Sequence, residues 1–362
     1  MTSKTSVWVN LAMMLCCALV TAPSRAASFD FVALGDTAYD GAKDDPAYHA
    51  LIARINQAKP AFSIHIGDVW GGEACLDADH QRILGNFARF EHPLIYTPGD
   101  NEWTDCLDPA LIAAWERVEA GQAQPGDQQR VEDFQTRQGR ASHPRHWALE
   151  SLARIRRMYF GTPHSLGQTA LPLQRQSVVS SIFKEMVENA RWRRDDVLFA
   201  TVHVVGSMNG LTTTDAPAAA EAVRRHQADL EWIQATFEEA DKTQAKAVVL
   251  AMHASFFTRE PGRGQSAGRE VLGGSYGPYG HIARAIQELS ARFGKPVLLI
   301  HGDDHEFMVD RPFLRRGKEG EKAKGANLLR LQVFGAPELR AVRVTVDTET
   351  PWVFGFAPLY AN

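Results

Sequence analysis

The chain has 362 residues, 44% of them hydrophobic and 23% charged, with a formal net charge of -4. Such a composition requires a buried core and excludes a disordered, collagenous or membrane-bundle protein. The acidic balance excludes nucleic-acid binding by bulk basicity, and four cysteines are too few to staple a fold of this length.

Residues 1–26 read as a secretory signal. Lys4 is followed by an apolar run from Val7 to Val20, and then by Ser24 and Ala26 where a signal peptidase reads small side chains. The run is shorter than the ~20 residues of a membrane span. The expected mature protein is therefore periplasmic or secreted, starts near Ala27, has no membrane span and forms a single domain over 27–362.

Phe29–Leu34 is a short apolar run ending in Gly35-Asp36; Phe62–Ile66 ends in Gly67-Asp68, and Leu94–Thr97 leads through Pro98 to Gly99-Asp100. Helical patterns fill both gaps. Tyr48, Leu51, Ile52 and Ile55 follow the helix start Asp45-Pro46, and Leu76, Ile83, Leu84 and Phe87 keep to one face. Strand and helix alternating at about thirty residues per unit is the pattern of a parallel α/β sheet. Residues 118–150 break the rhythm, because no apolar period lasts, and predict a surface insertion or long loop. Val197–Val205 reads as a buried strand, and Leu230, Ile233 and Phe237 mark a helix. Ala247–Met252 is a strand ending at His253, His281–Phe293 a helix, and Val297–Ile300 a strand running into His301-Gly302-Asp303-Asp304-His305. Residues 327–358 predict a β-meander.

Parallel strands end at one edge, where open α/β sheets bind ligands. Asp36, Asp68 and Asp100 are thus delivered to one place, with His253 and the Asp303/His305 cluster on two further strand ends. Ionised carboxylates sharing a cleft repel one another, so the economical solution is a metal centre. Oxygen and imidazole donors without thiolate suit Mn, Fe, Zn or Mg. Cys75 and Cys106 follow the second and third Asp by seven and six residues on neighbouring loops, which predicts a disulfide between them.

In order and placement these motifs resemble the calcineurin-like metallophosphoesterases, the family that includes purple acid phosphatases. The matching residues are Gly35-Asp36, Gly67-Asp68, Gly99-Asp100-Asn101-Glu102, His253 and Gly302-Asp303-Asp304-His305, over roughly 29–310. The resemblance implies a four-layered sandwich, two mixed β-sheets flanked by helices. It implies two metal ions, with Asp36 and His305 on the first, Asp68 bridging, Asp100 and His253 on the second, and Asp303 in place of a ligating histidine. It also implies hydrolysis of a small phosphate mono- or diester by a metal-activated water. The sequence departs from the pattern at Ala38 and Gly71, which leaves the first metal short of a ligand that Tyr39 or His301 could supply. Asn101 stands where the family often has a histidine, so the catalytic candidates are Asn101 and His203, with His65 and His281 as further proton donors. The connection 254–280, with Arg259, Arg263 and Arg269, is expected to select substrate. The altered motifs also admit a secreted metal-binding or interaction protein without turnover.

Overall fold

A computed structural model describes residues 28–71, 75–106, 109–138, 147–211, 216–255, 257–260, 264–266, 279–314 and 325–361. The expected secretory signal lies outside these residues, as do Arg263 and Arg269.

Two mixed sheets carry the fold. The strands of the first are β1 (Phe29–Leu34), β2 (Ser63–His65), β3 (Leu94–Tyr96), β13 (Arg340–Val346) and β14 (Phe354–Tyr360), in the order β14-β13-β1-β2-β3. The second has the order β11-β12-β10-β7-β6-β5-β4. Its strands are β4 (Gln174–Arg175), β5 (Ala190–Arg194), β6 (Val197–Thr201), β7 (Ala247–Ala251), β10 (Val297–His301), β11 (Met308–Asp310) and β12 (Leu328–Gln332). Within sheet one β1, β2 and β3 are parallel and the β13–β14 pair is antiparallel. Within sheet two β6, β7, β10 and β12 are parallel. A small hairpin, β8 (Thr258–Glu260) with β9 (Gly264–Ser266), stands apart.

Side-chain alternation explains the layering. Phe31 and Ala33 of β1 point between the sheets and meet Phe199, Val249, Ala251 and Ile300. Val32 and Leu34 point the other way, onto the helices Gly41–Ala58 and Asp77–Phe87. In sheet two, Leu198, Val248 and Leu250 cover the helices Ala216–Lys242 and Tyr279–Phe293. Both faces of each sheet are therefore covered, as near-continuous apolar strands require. Phe62 is central to the middle layer, its ring 5.3 Å from Phe31 and 5.1 Å from Phe199.

The region 118–150, expected as an insertion or loop, contains the helix Asp127–Gln138 and the start of another, Trp147–Tyr159. Only Val131 and Phe134 of the first are buried apolar residues, with Phe134 against Trp115. So thin an apolar stripe does not stand out from its polar surroundings. The three C-terminal strands do not form one meander: β12 completes sheet two, while β13 and β14 cross to sheet one.

Candidate metal centre

Because β1, β2 and β3 are parallel neighbours in register, their Gly-Asp exits lie side by side. β7 and β10 bring His253 and residues 302–305 to the same edge from sheet two. Two groups of donor atoms result, Asp36 with Asp68 and His305, and Asp68 with Asp100 and His253; within each group the atoms lie within 4.8 Å of one another. Asp68 belongs to both. Asp36, Asp68, Asp303 and His305 adopt left-handed φ values of 51, 52, 74 and 59°, a backbone cost of about 1–2 kcal/mol per residue. Strain of this kind concentrates at functional sites.

Each imidazole is oriented from behind. Nδ1 of His253 lies 3.1 Å from the carbonyl oxygen of Ile66, and Nδ1 of His305 lies 2.9 Å from that of Ala336. A carbonyl only accepts, so each Nδ1 donates and each Nε2 is turned to the carboxylates, the arrangement that presents a histidine to a metal. Nε2 of His253 is 3.2 Å from Asp100 Oδ1 and 3.4 Å from Asp68 Oδ1, yet it makes no hydrogen bond of good geometry.

Asp36, Asp68 and Asp100 are buried, and among the described residues no lysine or arginine pairs with them. Burial pushes the Asp36 carboxyl up to about 7 against the pull of His253. Burial also raises Asp68 well above the usual carboxylate range. For His253, burial alone would lower the pKa, but Asp68, Asp100 and Asp36 hold it well above its ordinary value. Asp100 is kept low, burial being more than offset by His253 and by a hydrogen bond from Ser207. The cluster thus holds protons where it needs positive charge.

A cation answers that need. Asp36 Oδ2 is buried without a hydrogen-bond partner. A Cβ at position 302 would lie 1.9 Å from that oxygen, so glycine there keeps the space for it. The donors present therefore fit two cations that share Asp68.

Other expected residues divide into those that reach the cluster and those that do not. Asp303 lies at its margin, with Oδ1 3.8 Å from His253 Nε2 and Oδ2 accepting from the Ser255 amide. Tyr39 reaches it: its hydroxyl donates to Asp68 Oδ2 at 2.6 Å and lies 2.9 Å from His305 Nε2. Gly71 makes this possible, because a Cβ there would meet the Tyr39 ring at 3.1 Å. His301 does not reach it. Its Nδ1 contacts the Gly302 carbonyl and its ring lies against Phe257.

Of the catalytic candidates, Asn101 is at the cluster, but its amide donates to Asp68 Oδ2 at 2.8 Å and to the Trp70 carbonyl at 2.9 Å. His203 is not brought to the cluster. It is buried, with Nδ1 3.3 Å from Glu188 and its ring 5.6 Å from that of Trp103. The two-residue alternation turns it away from Val202 and Val204, which pack on the sheet-two helices. His65 is also packed away, accepting from the Gly67 amide between Phe87 and Tyr96, and burial lowers it to about 3. His281 pairs with the His226 ring at 5.6 Å.

Cys75 and Cys106 form the expected disulfide, Cα atoms 5.6 Å apart, and tie the loops after β2 and β3 beside Asn101. Buried Glu102 secures the same loops by accepting from Tyr96, Gly99 and Val69. Two residues at the site carry no motif at all: Ser207, whose Oγ is 2.8 Å from Asp100 Oδ2, and Asp105, 2.7 Å from the same hydroxyl.

No protein family matches the chain, and no curated protein does. Solved structures share its shape at a distance. A dimetal phosphatase from Danio rerio is 9% identical, covering 92% of this chain and 99% of that one at a TM-score of 0.49. GAP50, the anchor in the inner membrane complex of Plasmodium, is 10% identical, with 92% and 89% covered at 0.45. The protein TT1561 of Thermus thermophilus is 10% identical, with 93% and 100% covered at 0.41. With TM-scores below 0.5 these are remote likenesses of shape, and what the site does follows from its own residues.

Proposed function

We propose that the chain is a metal-dependent phosphohydrolase that cleaves a small phosphate mono- or diester. The observation that carries the reading is the pair of carbonyl-anchored imidazoles whose Nε2 atoms face three buried carboxylates, one of them common to both groups. Asp36, His305 and the Tyr39 hydroxyl would hold one cation, Asp100 and His253 the other, and Asp68 both, with Asp303 at the margin. A cation pair of this kind lowers the pKa of a bound water and stabilises charge on the attacking and leaving oxygens.

The protein's own part is to place and neutralise. Asn101 holds one oxygen of Asp68 by its amide and so fixes the bridging carboxylate rather than donating a proton. His65, His203 and His301 are each engaged away from the cluster, so among the described residues none of these three is placed to protonate a leaving group, and departure would lean on the leaving group's own stability. Esters with acidic leaving alcohols, such as nitrophenol, are the favoured substrates. The same absence of a placed proton donor among these histidines favours the second reading, a cation-binding protein without turnover. An exported location belongs to the same proposal. The disulfide supports it, and no helix among the described residues is long and apolar enough to cross a membrane.

The test is metal content by mass spectrometry alongside hydrolysis of nitrophenyl phosphate and bis(nitrophenyl) phosphate. Two equivalents with turnover are expected. Two equivalents without turnover would establish the second reading, and no bound cation would remove both.

A further inference from the structure

The turn Gly206–Asn209, just beyond β6, approaches the cluster from the side. Ser207, Met208 and Asn209 have φ values of 47, 58 and 55°. Three successive non-glycine residues in the left-handed region cost about 1–2 kcal/mol each, so something must hold the turn in place. Arg225, fully buried on the helix Ala216–Lys242, donates to the Asn209 carbonyl at 2.6 Å, to Asn209 Oδ1, and to the His203 carbonyl at 3.0 Å. The same guanidinium lies 4.9 Å over the ring of Trp103, on the loop that carries Asp100. The Tyr279 hydroxyl accepts from the Asn209 amide and donates to the Val205 carbonyl, both at 2.9 Å.

What the turn delivers is Ser207. Its hydroxyl lies 2.8 Å from Oδ2 of Asp100 and 2.7 Å from Oδ2 of Asp105, with one proton to share between them, while Oδ1 of Asp100 faces His253 Nε2 at 3.2 Å. One oxygen of Asp100 is taken by the protein and the other is left for the cluster. The backbone also comes close: a Cβ at position 206 would lie 2.4 Å from Asp100 Oδ2 and 2.8 Å from Asp303 Oδ1. Only glycine lets the turn approach that far.

We infer that Ser207 is a positioning residue for the second cation. It pins Asp100 as a one-oxygen ligand, and the left-handed turn clamped by Arg225 and Tyr279 serves to bring its hydroxyl there. The inference rests on the two-cation reading of the site. Partners that orient a metal ligand are typically worth ~10–100-fold in metal affinity, and that is the size of effect expected here.

The experiment is calorimetric titration of Mn2+ into metal-stripped protein, comparing wild type with Ser207→Gly and Ser207→Ala. Glycine suits a positive φ, so Ser207→Gly removes the hydroxyl while easing the turn, and its melting temperature should hold or rise. In both variants one of the two equivalents, the one held by Asp100 and His253, should bind about 10–100-fold more weakly, with the other unchanged. Ser207→Gly taking two equivalents with wild-type affinities would overturn the inference. Weakening only in Ser207→Ala would also overturn it, because backbone strain and not the hydroxyl would then be responsible. Wild-type protein that takes up fewer than two equivalents would instead remove the two-cation reading, a failure that needs no variant to be seen.

Discussion

Two clusters of buried charge lie close together in this molecule and are built on opposite plans. In the first, Arg156 and Arg225 are set against Glu188 and Glu221, with His203 beside Glu188. Arg156 donates to Glu188 at 2.6 Å and His203 stands 3.3 Å from it. Burial alone would raise Glu188, but Arg156 and His203 more than offset it and pull the carboxyl down to about 2. In the second, Asp36, Asp68 and Asp100 converge, and among the described residues imidazoles are the only basic side chains paired with them; burial drives two of the carboxyls upward. A buried cluster that serves packing balances its own charge. One left unbalanced, at a strained strand edge, is waiting for a charge from outside.

The contrast is sharpest in what single substitutions should do. Asp68→Asn takes the shared anchor from both cations. We expect hydrolysis to fall at least ~100-fold, the scale of losing one preorganised electrostatic group at a reacting centre, and bound metal to drop to one equivalent or less. The fold should persist, since the change relieves repulsion; kinetics, metal analysis and circular dichroism would check the three parts. His253→Ala, which touches one cation, should fall between this and the mildest variant below.

Glu188→Gln should do the reverse. It leaves His203 without its counter-charge and Arg156 with only the longer contact to Glu221, at 3.6 Å, and breaking a buried pair typically costs about 3–5 kcal/mol. Denaturant midpoints should therefore drop sharply while metal stoichiometry stays at that of wild type. A variant that lost its cations yet kept its stability would invert the assignment of the two clusters.

The clusters should also respond oppositely to pH in metal-free protein. Asp36 is raised, from 3.8 to about 7. The folded state then binds more protons than the unfolded one, and stability present below about pH 3.8 is lost as pH rises through about 7. His253, also raised, acts in the same direction. Glu188 is depressed, from 4.5 to about 2, so its contribution is present above about pH 4.5 and is lost as pH falls through about 2. Thermal melts of stripped protein should show lower stability at pH 8 than at pH 5, and saturating Mn2+ should abolish the difference by taking the place of the protons. A flat profile from pH 5 to 8 without metal would mean the carboxylates are not in deficit.

The smallest effect is expected at Asn101. Its side-chain amide holds one oxygen of Asp68, and the backbone N–H that holds the other survives the substitution, so Asn101→Ala should cost about 10-fold in metal affinity, the lower end for an orienting partner. A loss as large as that of Asp68→Asn would return a direct catalytic role to this residue.

How much of this was legible in the sequence depends on how local each signal is. The parallel strands and their Gly-Asp exits were readable because each is a run of apolar residues with a break at its end, and the parallel order places the breaks together. The Cys75–Cys106 bond followed from the same placement. Tyr39 was visible only as one of two candidates, since the choice turns on the space left by Gly71, more than thirty residues away. His203 misled because a histidine in a strand pattern has two faces to choose from, and its partner Glu188 sits on a different segment. Ser207 gave no signal, because a left-handed turn of Ser-Met-Asn is stabilised not by its own residues but by Arg225 and Tyr279. The helix Asp127–Gln138 was missed for want of a broad apolar stripe.

The two donor groups draw their carboxylates from sheet one, between residues 36 and 100, and their imidazoles from sheet two, at 253 and 305. During synthesis, then, the chain carries its three aspartates long before either histidine has been made. A nascent or truncated chain ending before residue 253 has the acidic half of each group and nothing to complete it. On the two-cation reading, uptake would be a late event, open only to a chain that extends past residue 305 and has closed its two sheets on one another, and loading would report on folding as much as it prepares for chemistry.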